Sequence, residues 1–411
     1  MVNIARRRRW RLERRCRRRH PRDVPRRAAL APPRPARPAA LPQQVDVVVV
    51  GAGIVGLAHA VEARARGASV VVVERHAHAT GASVRALGHV AVTGQDGPTL
   101  APALASRDRW LALSRQAGFV AHESGALAVA RVEDELAVLE DLAAARDGAV
   151  TLLDRAGVAA RLPRATDGVV GGAVLSMDLQ VDPREAVPAL TAWLARQPGA
   201  SVVHATAVVS MEPGSGRTLV RTTRGDVVAR RVVVAVGHDV DGLLPEVGEA
   251  HGLRRVTSQV LRATLRSTGE ALPVVAGTAL LRQPWVARSP HHRRILVRLE
   301  DERPRTVRAG VALVVTQHAE GRVDVGSTRL EAPAADPFRQ EALDDLLLTE
   351  SALVLGEVPQ VVERWSAVQA TAPEPFVVAR PQRGVLAVVA SGGDGMTTAL
   401  GLAQRTVEGF F

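Results

Sequence analysis

Three residue types that often carry enzyme chemistry are missing or nearly missing from this chain. Its 411 residues include no lysine and no tyrosine, and the single cysteine is Cys16. Without lysine, a P-loop phosphate ligand and Schiff-base catalysis are both excluded, and without tyrosine no phenol can donate a proton. One cysteine allows no internal disulfide and no thiolate metal cluster, and we expect no metal site.

Positive charge is concentrated at the N-terminus, although the whole chain carries a formal net charge of +11. Residues 1–42 hold 15 arginines and two acids and so carry +13, which leaves −2 for the remainder. Many prolines and no apolar periodicity predict that this segment is disordered. It also lacks the apolar centre of an export signal, and no run in the chain approaches the roughly 18 apolar residues of a membrane span. We therefore expect a cytoplasmic protein.

Residues 1–42 have three open interpretations. The segment is a translated upstream stretch outside the working protein, a solvated arm, or an arm that binds polyanions. Because the remainder is close to neutral, we expect no nucleic-acid binding by the folded part.

A glycine-rich turn between two apolar strands, within residues 45–74, is the most informative pattern. The valine-rich run 45–50 predicts a buried strand, and Gly51-Ala52-Gly53-Ile54-Val55-Gly56 follows it directly. An alanine-rich helix and a second strand complete the unit, which ends on Glu74. This is the βαβ pattern of dinucleotide-binding proteins.

Each conspicuous residue of the pattern has a physical task. Gly51 permits the tight turn, Gly53 lets the backbone approach a pyrophosphate, and Gly56 lets helix and strand pack closely. The helix N-terminus attracts phosphates. Glu74 is placed to accept hydrogen bonds from a ribose hydroxyl, which argues against a 2′-phosphate. The alternative is a structural glycine turn in an unrelated α/β protein.

The rest of the chain alternates between helical and extended patterns. Helices are predicted at 101–118, 131–147, 183–196 with Asp182 as N-cap, 337–355 and 396–407. Strands are predicted at 201–211, 217–223, 227–236 and 385–390. Residues 252–330 have the alternation of an antiparallel sheet, with a solvated turn at 291–294. The glycine loop 391–395 precedes a second helix N-terminus, as a cofactor longer than a mononucleotide requires.

With these motifs in place, the chain from about residue 45 to 409 resembles the FAD-dependent D-amino acid oxidase/glycine oxidase superfamily. Four segments carry the resemblance: Val45–Arg75, Gly81-Ala82-Ser83, Val181-Asp182-Pro183-Arg184, and Ser391-Gly392-Gly393-Asp394-Gly395-Met396-Thr397-Thr398-Ala399. The resemblance implies an α/β fold in which a Rossmann-like FAD-binding domain is interleaved with a substrate domain built on an antiparallel sheet. The expected FAD-binding domain is 43–100, 165–245 and 364–411, and the expected substrate-binding domain is 101–164 and 246–363.

The resemblance also implies which residues contact FAD. These are Gly51, Gly53, Ile54, Val55, Gly56, Glu74, Arg75, Ser83, Val208, Gly237, Gly393, Gly395, Met396 and Thr397. Ser83 has a second interpretation, in which it only terminates its loop.

A narrower resemblance concerns the substrate. Ser83–Gly88, Gln259, Arg262 and Thr316-Gln317 are most similar to a branch found with phosphonate-degradation genes. Members of that branch are thought to oxidise 2-aminoethylphosphonate or its N-alkyl forms. Where the family usually has Gly-Asp-Ser-His, this chain reads Gly326-Ser327-Thr328-Arg329.

A second departure from the family is Gln369. Amino-acid-oxidising relatives place an arginine at the matching position, four residues after a tryptophan, and it grips the substrate carboxylate. A neutral amide cannot supply that charge-assisted fork, which makes an α-amino acid substrate less favoured.

The tentative substrate-binding residues are Arg85, Gln259, Arg262 and Gln369. Arg85 lies just past the cofactor loop, but it could equally be a surface arginine. Gln259 and Arg262 lie three apart on a predicted strand and so should point to opposite faces. His89 lies near the expected flavin edge, although a lone histidine more often packs in a core.

The expected function is oxidation of the C–N bond of a small amine, by hydride transfer to FAD and then imine hydrolysis. Because the flavin supplies the chemistry in this superfamily, no side chain is assigned as catalyst. The electron acceptor would be oxygen or another oxidant. Two alternatives remain: a glycine/sarcosine-type amino acid oxidase, and a polyanion-binding protein that uses residues 1–42. An NADPH-dependent hydroxylase is disfavoured because no second pyridine-nucleotide pattern is present.

The position of the only cysteine predicts how the cofactor is held. We expect the purified protein to be yellow, and denaturation to release the flavin, because Cys16 lies outside the folded part. Absorbance of the supernatant after acid precipitation measures the release. Flavin that stays with the precipitate would reveal a histidyl link and contradict non-covalent binding.

Overall fold

Residues 40–164, 167–267 and 269–410 are described by the structure, a computed structural model. Residues 1–39, which include Cys16 and nearly all of the N-terminal segment predicted to be disordered, lie outside the described residues. Ala39–Phe411 form one unit.

Strands and helices alternate along this unit. The strands are β1 (Gln44–Val50), β2 (Val70–Val73), β3 (His89–Val90), β4 (Ala121–His122), β5 (Ala126–Ala130), β6 (Val150–Asp154), β7 (Gly171–Leu175), β8 (Leu179–Val181), β9 (Ala200–Val203), β10 (Val208–Pro213), β11 (Thr218–Thr222), β12 (Gly225–Val234), β13 (Arg254–Thr264), β14 (Val274–Ala276), β15 (Val314–Gln317), β16 (Arg322–Gly326), β17 (Leu330–Ala332), β18 (Gln360–Thr371), β19 (Phe376–Ala379) and β20 (Val385–Ala390). The helices are α1 (Ile54–Ala65), α2 (Leu100–Ala117), α3 (Glu133–Ala145), α4 (Arg155–Ala159), α5 (Pro183–Ala195), α6 (Pro245–Ala250), α7 (Gly277–Leu280), α8 (His292–Glu302), α9 (Pro304–Arg308), α10 (Glu341–Leu355) and α11 (Gly395–Glu408).

The first sheet contains both glycine-loop units. Its order is β10-β11-β12-β1-β2-β9, with β20 beside β12 and β19 beside β20. The pairs β1–β12, β1–β2, β2–β9 and β12–β20 are parallel, so their carboxyl ends lie at one edge. Both faces are buried: α1, α2, α5 and α11 cover one, and α6 packs on the other. This double burial explains why the central strands are continuous runs of valine rather than alternating patterns.

The second sheet is mainly antiparallel. Its order is β17-β13-β16-β15-β14-β5-β7-β6, and the long strand β18 pairs with β13. Helix α10 packs on one face, and α3 and α8 pack on the other. A small sheet, β3-β8-β4, completes the unit. The predicted combination of a Rossmann-like sheet with an antiparallel sheet is confirmed.

Most predicted elements are present with small shifts of their ends, but two predictions are wrong. The strand predicted at 201–211 is two strands, β9 and β10, because the chain turns around the end of β2. There Ala205 has a φ of 49°, and the amides of Ala205 and Thr206 donate to the carbonyls of His76 and Glu74.

The second wrong prediction is the turn at 291–294. This stretch enters α8, inside a helical insertion (α7–α9) within the region predicted to be a sheet. Helix α8 buries only Ile295 and Leu299, four residues apart, and most of its other positions are charged, while Val297 is exposed. One narrow apolar stripe is typical of a surface helix that covers a sheet. Residues 291–294, taken alone, contain none of this stripe and therefore resembled a turn.

The expected domain boundaries and the sheets differ at three places, one of which is α2, which covers the parallel sheet although 101–164 was assigned to the substrate-binding domain. Strand β7 and the second half of β18 belong to the antiparallel sheet, although 165–245 and 364–411 were assigned to the FAD-binding domain. Within the described residues, no helix has both the length and the apolar character needed to cross a membrane.

Helices α2 and α11 touch through backbone. A Cβ built on Gly401 would lie 2.2 Å from the carbonyl oxygen of Pro102, and the Gly401 amide donates to Ser106 Oγ at 2.8 Å. One turn further along α2, Trp110 is fully buried and its Nε1 donates to the carbonyl of Met396 at 2.8 Å. Helix α2 therefore fixes the beginning of α11.

This close contact predicts that one methyl group added at Gly401 strongly lowers the stability of the protein. We expect Gly401→Ala to destabilise the protein by about 1–3 kcal/mol, because the added Cβ forces the two helices apart. Denaturant unfolding measures the change. Gly409→Ala is the matched control, since Gly409 has a φ of −82° and its added Cβ would lie 3.7 Å from the nearest atom, in the flexible Arg380 side chain. Equal stability of the two variants would show that the helix contact is not tight.

Candidate active site

The glycine turn after β1 is built for close approach. Gly51 has a φ of 102°, and its amide donates to the Val73 carbonyl at 2.8 Å, which ties the turn to β2. A Cβ on Gly56 would lie 2.0 Å from the Gly51 carbonyl oxygen. Only glycine fits at these two positions, so α1 begins directly against the end of the strand.

Gly53 forms the N-terminal boundary of α1 and leaves space in front of the helix. A Cβ built on Gly53 would meet a single neighbour within 4 Å, Ser83 Oγ at 3.2 Å. Ser83 Oγ accepts a hydrogen bond from the Ile54 amide at 2.9 Å. The hydroxyl thus satisfies the first amide of α1, and its own hydrogen remains available for a phosphate oxygen.

Glu74 is held at the end of β2, next to the same turn. The side chain is buried, with Oε2 accepting from the Ala52 amide and Oε1 from the His76 amide, both at 2.9 Å. Both oxygens keep lone pairs for a hydroxyl donor. Arg75, which follows, pairs with Asp239 across the edge of the sheet.

These groups border one cavity of about 650 Å³ at the carboxyl edge of the parallel strands. Twelve of the fourteen expected FAD contacts line it: Gly51, Gly53, Ile54, Val55, Glu74, Arg75, Ser83, Val208, Gly237, Gly393, Gly395 and Met396. The other two support the walls: Gly56 packs against the turn, and Thr397 Oγ1 accepts from the Ala91 amide at 3.1 Å. The glycine cradle, the capped helix and the acid fit a dinucleotide such as FAD.

The four tentative substrate residues separate into two pairs. Arg85 and Gln369 line the cavity. Gln369 lies beside the C-terminal glycine loop, since a Cβ on Gly393 would be 2.8 Å from its Oε1. Arg85 donates to the Ser366 carbonyl at 3.0 Å, and its own carbonyl accepts from Trp365 Nε1 at 2.9 Å. This anchoring holds Arg85 at the rim.

Gln259 and Arg262 do not line the cavity, and they point to opposite faces of β13. Gln259 Nε2 donates to the Gln340 carbonyl at 3.0 Å, and Oε1 accepts from the Gln340 amide at 2.8 Å. Arg262 forms a forked pair with Asp324, at 2.6 and 2.7 Å. Although burial raises the pKa of Asp324, hydrogen bonds from Arg262 and His318 hold it below its ordinary value. Both side chains are engaged in structural contacts.

The His89 side chain is buried, which is the structural role expected of a lone histidine. Its Nε2 lies 2.7 Å from Asp178 Oδ2, and Asp178 Oδ1 accepts from the amides of Val92 and Thr93. The pair is buried and fixes the chain after β3. In the part of the chain that the structure describes, no cluster of three His, Cys, Asp or Glu side chains could hold a metal ion.

Two charged residues beside the C-terminal glycine loop were missed by the sequence analysis as site residues: Arg329 and Asp394. Arg329 donates to the Gly392 carbonyl and to Thr371 Oγ1, each at 3.0 Å. Burial and the neighbouring Arg282 lower the pKa of Arg329 to about 10, while burial raises the pKa of Asp394 against the effect of both arginines. The sequence offered one sign of Arg329. Residues 326–329 depart from the family's usual Gly-Asp-Ser-His, and this departure puts an arginine at position 329, which the fold brings to the C-terminal glycine loop.

The chain from residue 46 to residue 408 matches the family model described as DAO: FAD dependent oxidoreductase. No curated protein matches the sequence. The fold of this chain is similar to that of glycine oxidase from Geobacillus kaustophilus, with 20% identity and a TM-score of 0.73 over 90% of this chain and 95% of that chain.

Two further solved structures are similar. Dithionite-reduced L-α-glycerophosphate oxidase from Mycoplasma pneumoniae with FAD bound has 18% identity and a TM-score of 0.71, over 89% of this chain and 94% of that chain. Iminodiacetate oxidase from Chelativorans sp. BNC1 has 18% identity and a TM-score of 0.69, over 88% of this chain and 95% of that chain. Since the family match includes both glycine loops and nearly every strand around the cavity, the chain belongs to the DAO family of FAD-dependent oxidoreductases.

Proposed function

We propose that this enzyme oxidises the C–N bond of a small amine that also carries an acidic group. The leading candidate is an aminophosphonate, either 2-aminoethylphosphonate or an N-alkyl derivative. The observation that carries the proposal is Gln369, which lines the cavity beside Gly393 where amino-acid-oxidising relatives place an arginine. Without a guanidinium there, a planar carboxylate loses its forked partner.

The names of the similar structures support amine chemistry. Glycine oxidase and iminodiacetate oxidase are both named for amines that bear carboxylates, and glycerophosphate oxidase is named for an alcohol that bears a phosphate. An aminophosphonate combines the amine of the first two with an acidic group similar to that of the third.

Bound FAD supplies a two-electron acceptor, and the resulting imine is hydrolysed by water. The protein's own residues bind and orient. In the proposal, the glycine turn and the N-terminus of α1 hold the pyrophosphate, and Glu74 accepts from a ribose hydroxyl. Gln369 offers one donor and one acceptor to the substrate, and the apolar walls at Val368 and Met396 exclude water from the reacting carbon.

We also propose that the two sheets correspond to two functions. The parallel sheet with its covering helices would form the FAD-binding domain, and the antiparallel sheet with α3, α8 and α10 would form the substrate-binding domain. Gln369 lies on β18, at the border between the sheets, which suits a residue that faces both cofactor and substrate.

Oxidation of glycine or sarcosine is the second candidate, favoured by the similarity to glycine oxidase. Anaerobic bleaching of the flavin absorbance by a panel of amines separates the two. Bleaching by aminophosphonates at lower concentration than by glycine or sarcosine supports the proposal. The reverse order would establish the second candidate.

Filling the cradle at Gly53 should remove the cofactor. We expect Gly53→Val to fold but to be purified without yellow colour, because its side chain occupies the space next to Ser83 that a pyrophosphate requires. Flavin absorbance relative to protein, together with circular dichroism, measures both properties. Gly409→Val makes the same change at the end of α11 and should keep its flavin. A yellow Gly53→Val would remove the basis of the proposed site.

Restoring the arginine should shift the substrate preference. We expect Gln369→Arg to raise kcat/KM for glycine relative to 2-aminoethylphosphonate by about tenfold or more, since one charge-assisted hydrogen bond contributes roughly 1.5–3 kcal/mol. Gln369→Met, of similar length and without charge, is the control. A similar change of preference in both variants would show that Gln369 acts through shape alone.

A further inference from the structure

A second cavity, of about 430 Å³, lies at the other end of β20 from the cofactor cavity. The loop between β10 and β11, the loop between β19 and β20, part of β12 and the end of α11 form its walls. Val385, the first residue of β20, lines this cavity, whereas residues 388–390 line the cofactor cavity. No described residue lines both, so FAD and a second ligand can be bound at the same time.

Arginine is the most frequent residue of the second cavity's wall. Five of the thirteen described lining residues are arginines: Arg217, Arg230, Arg231, Arg380 and Arg383. No aspartate or glutamate is among those thirteen. The arginine cavity, as we call it, therefore suits an anion and offers no carboxylate to an ammonium group.

Most of this positive charge is not compensated by acids. In the part of the chain that the structure describes, only Arg230 has an acid within 4.0 Å, namely Asp46 at 3.6 Å. Although burial opposes the effect, hydrogen bonds from Ser69, and then the charges of Arg230 and Arg217, lower the pKa of Asp46. One acid stands against five guanidinium groups, which leaves four positive charges without a partner acid.

Two of the arginines are held by uncharged groups at the end of α11. Arg231 Nε donates to the Phe410 carbonyl at 3.1 Å, and its Nη1 donates to the Arg230 carbonyl at 3.0 Å. Arg380 donates to the Gly409 carbonyl. The guanidinium carbons of Arg231 and Arg380 lie 5.5 and 5.9 Å from the centre of the Phe410 ring. These contacts fix the two side chains without cancelling their charge.

Two further arginines keep most of their donors for a ligand. Arg217 Nη1 donates to Gln44 Oε1 at 3.2 Å. Arg383 is exposed and makes no hydrogen bond or ion pair with any described residue. Since a guanidinium group carries five N–H donors, both side chains can form forked bonds to a bound anion.

A buried hydroxyl belongs to the same wall. Thr218 lines the cavity with an exposed fraction of only 1%, and its Oγ1 has no hydrogen-bond partner among the described residues. A Cβ built on Gly384 would lie 3.4 Å from this oxygen, so the hydroxyl lies beneath the loop that carries Arg383. Buried hydroxyls are normally hydrogen-bonded, and this one therefore indicates a polar ligand.

We propose that the arginine cavity binds the polyphosphate group of a small soluble ligand, such as a nucleoside triphosphate. Arg217, Arg380 and Arg383 take phosphate oxygens from two sides, and the Thr218 hydroxyl donates to the innermost phosphate. The cavity volume lies within the range of roughly 300–1,000 Å³ that is usual for small-molecule sites. Because the site shares no residue with the cofactor cavity, it stands or falls independently of the proposed amine oxidation.

The charge of the wall selects a polyphosphate over other occupants. A carboxylate or a single phosphate cannot compensate four guanidinium groups, whereas a chain of two or three phosphates brings oxygens for several forks at once. The N-terminal segment is repelled from this wall, because residues 1–42 themselves carry +13.

Calorimetric titration of the full-length holoenzyme with sodium tripolyphosphate tests the arginines. We expect Arg383→Met and Arg217→Met each to raise the Kd about fivefold or more, since each removes a partly solvated charge-assisted contact. Neither change should unfold the protein, because Arg383 loses no hydrogen bond and Arg217 loses one, to Gln44. Arg308→Met is the matched control: it removes an exposed arginine of α9 that lines neither cavity, and the Kd should not change.

The hydroxyl is tested by Thr218→Val, which keeps the shape of the side chain. We expect the Kd for tripolyphosphate to rise about tenfold. The urea midpoint of the protein without tripolyphosphate should not fall, because no hydrogen bond of the hydroxyl is lost. An unchanged Kd would reject the contact between Thr218 and the ligand.

Three results would overturn the polyphosphate site. Equal affinity in the wild type, Arg383→Met and Arg217→Met would place binding elsewhere, as on residues 1–42. Inorganic phosphate that binds as tightly as tripolyphosphate would reject recognition of a phosphate chain. Release of flavin during the titration would place the ligand in the cofactor cavity.

ATP distinguishes the two sources of a polyphosphate group. If the natural ligand is a nucleotide, ATP should bind at least as tightly as tripolyphosphate and with the same dependence on Arg383. Tripolyphosphate binding without ATP binding would reject a nucleotide and establish inorganic polyphosphate as the ligand.

Discussion

The Glu74 carboxylate is the interaction on which the cofactor end of the molecule depends. Its two oxygens accept from the amides of Ala52 and His76, so one side chain fixes the glycine turn and the chain that leaves β2. A buried carboxylate is stable only when its charge is compensated by donors, and here two backbone amides provide them. The turn, the start of α1 and the Glu74 carboxylate are thus joined into one hydrogen-bonded unit.

The opposite wall is positioned through α11, and several elements converge there. Trp110 donates to the Met396 carbonyl, Arg329 donates to the Gly392 carbonyl, and Thr397 accepts from the amide of Ala91. None of these bonds joins sequence neighbours. The C-terminal glycine loop is therefore shaped by α2, the antiparallel sheet and the segment after β3 together, and a change in any of them is transmitted to the cavity.

Local patterns predicted the parts of the fold that local physics determines. Valine runs, glycine spacing and the Asp182 cap gave the strands, the turn and the start of α5, and in the structure Asp182 does accept from the Arg184 amide. The break at Ala205 was not predictable, because it follows from hydrogen bonds to His76 and Glu74 far back in the chain. Helix α8 was missed because its apolar stripe has only two residues.

The site residues divide in the same way, into those that local patterns predict and those that long-range contacts bring together. Residues of the cofactor cradle belong to short motifs, and the structure brings most of them to one cavity. Arg329 and Asp394 lie in two segments that the sequence analysis quoted, but the contact of Arg329 with the glycine loop exists only after the sheets have formed. Gln259 and Arg262 were suggested by resemblance alone, and the structure uses their polar atoms on Gln340 and Asp324.

The order of the strands has a consequence for synthesis on the ribosome. The parallel sheet places β12 between β1 and β20, so the cavity needs chain from residue 50 to residue 396. A nascent chain has made more than nine tenths of this span before β20 emerges, and until then the valine-rich edge of β12 lacks its parallel partner. Such an edge is prone to pairing with other chains. Completion of the cavity and protection of this edge therefore occur together, when β20 joins the sheet.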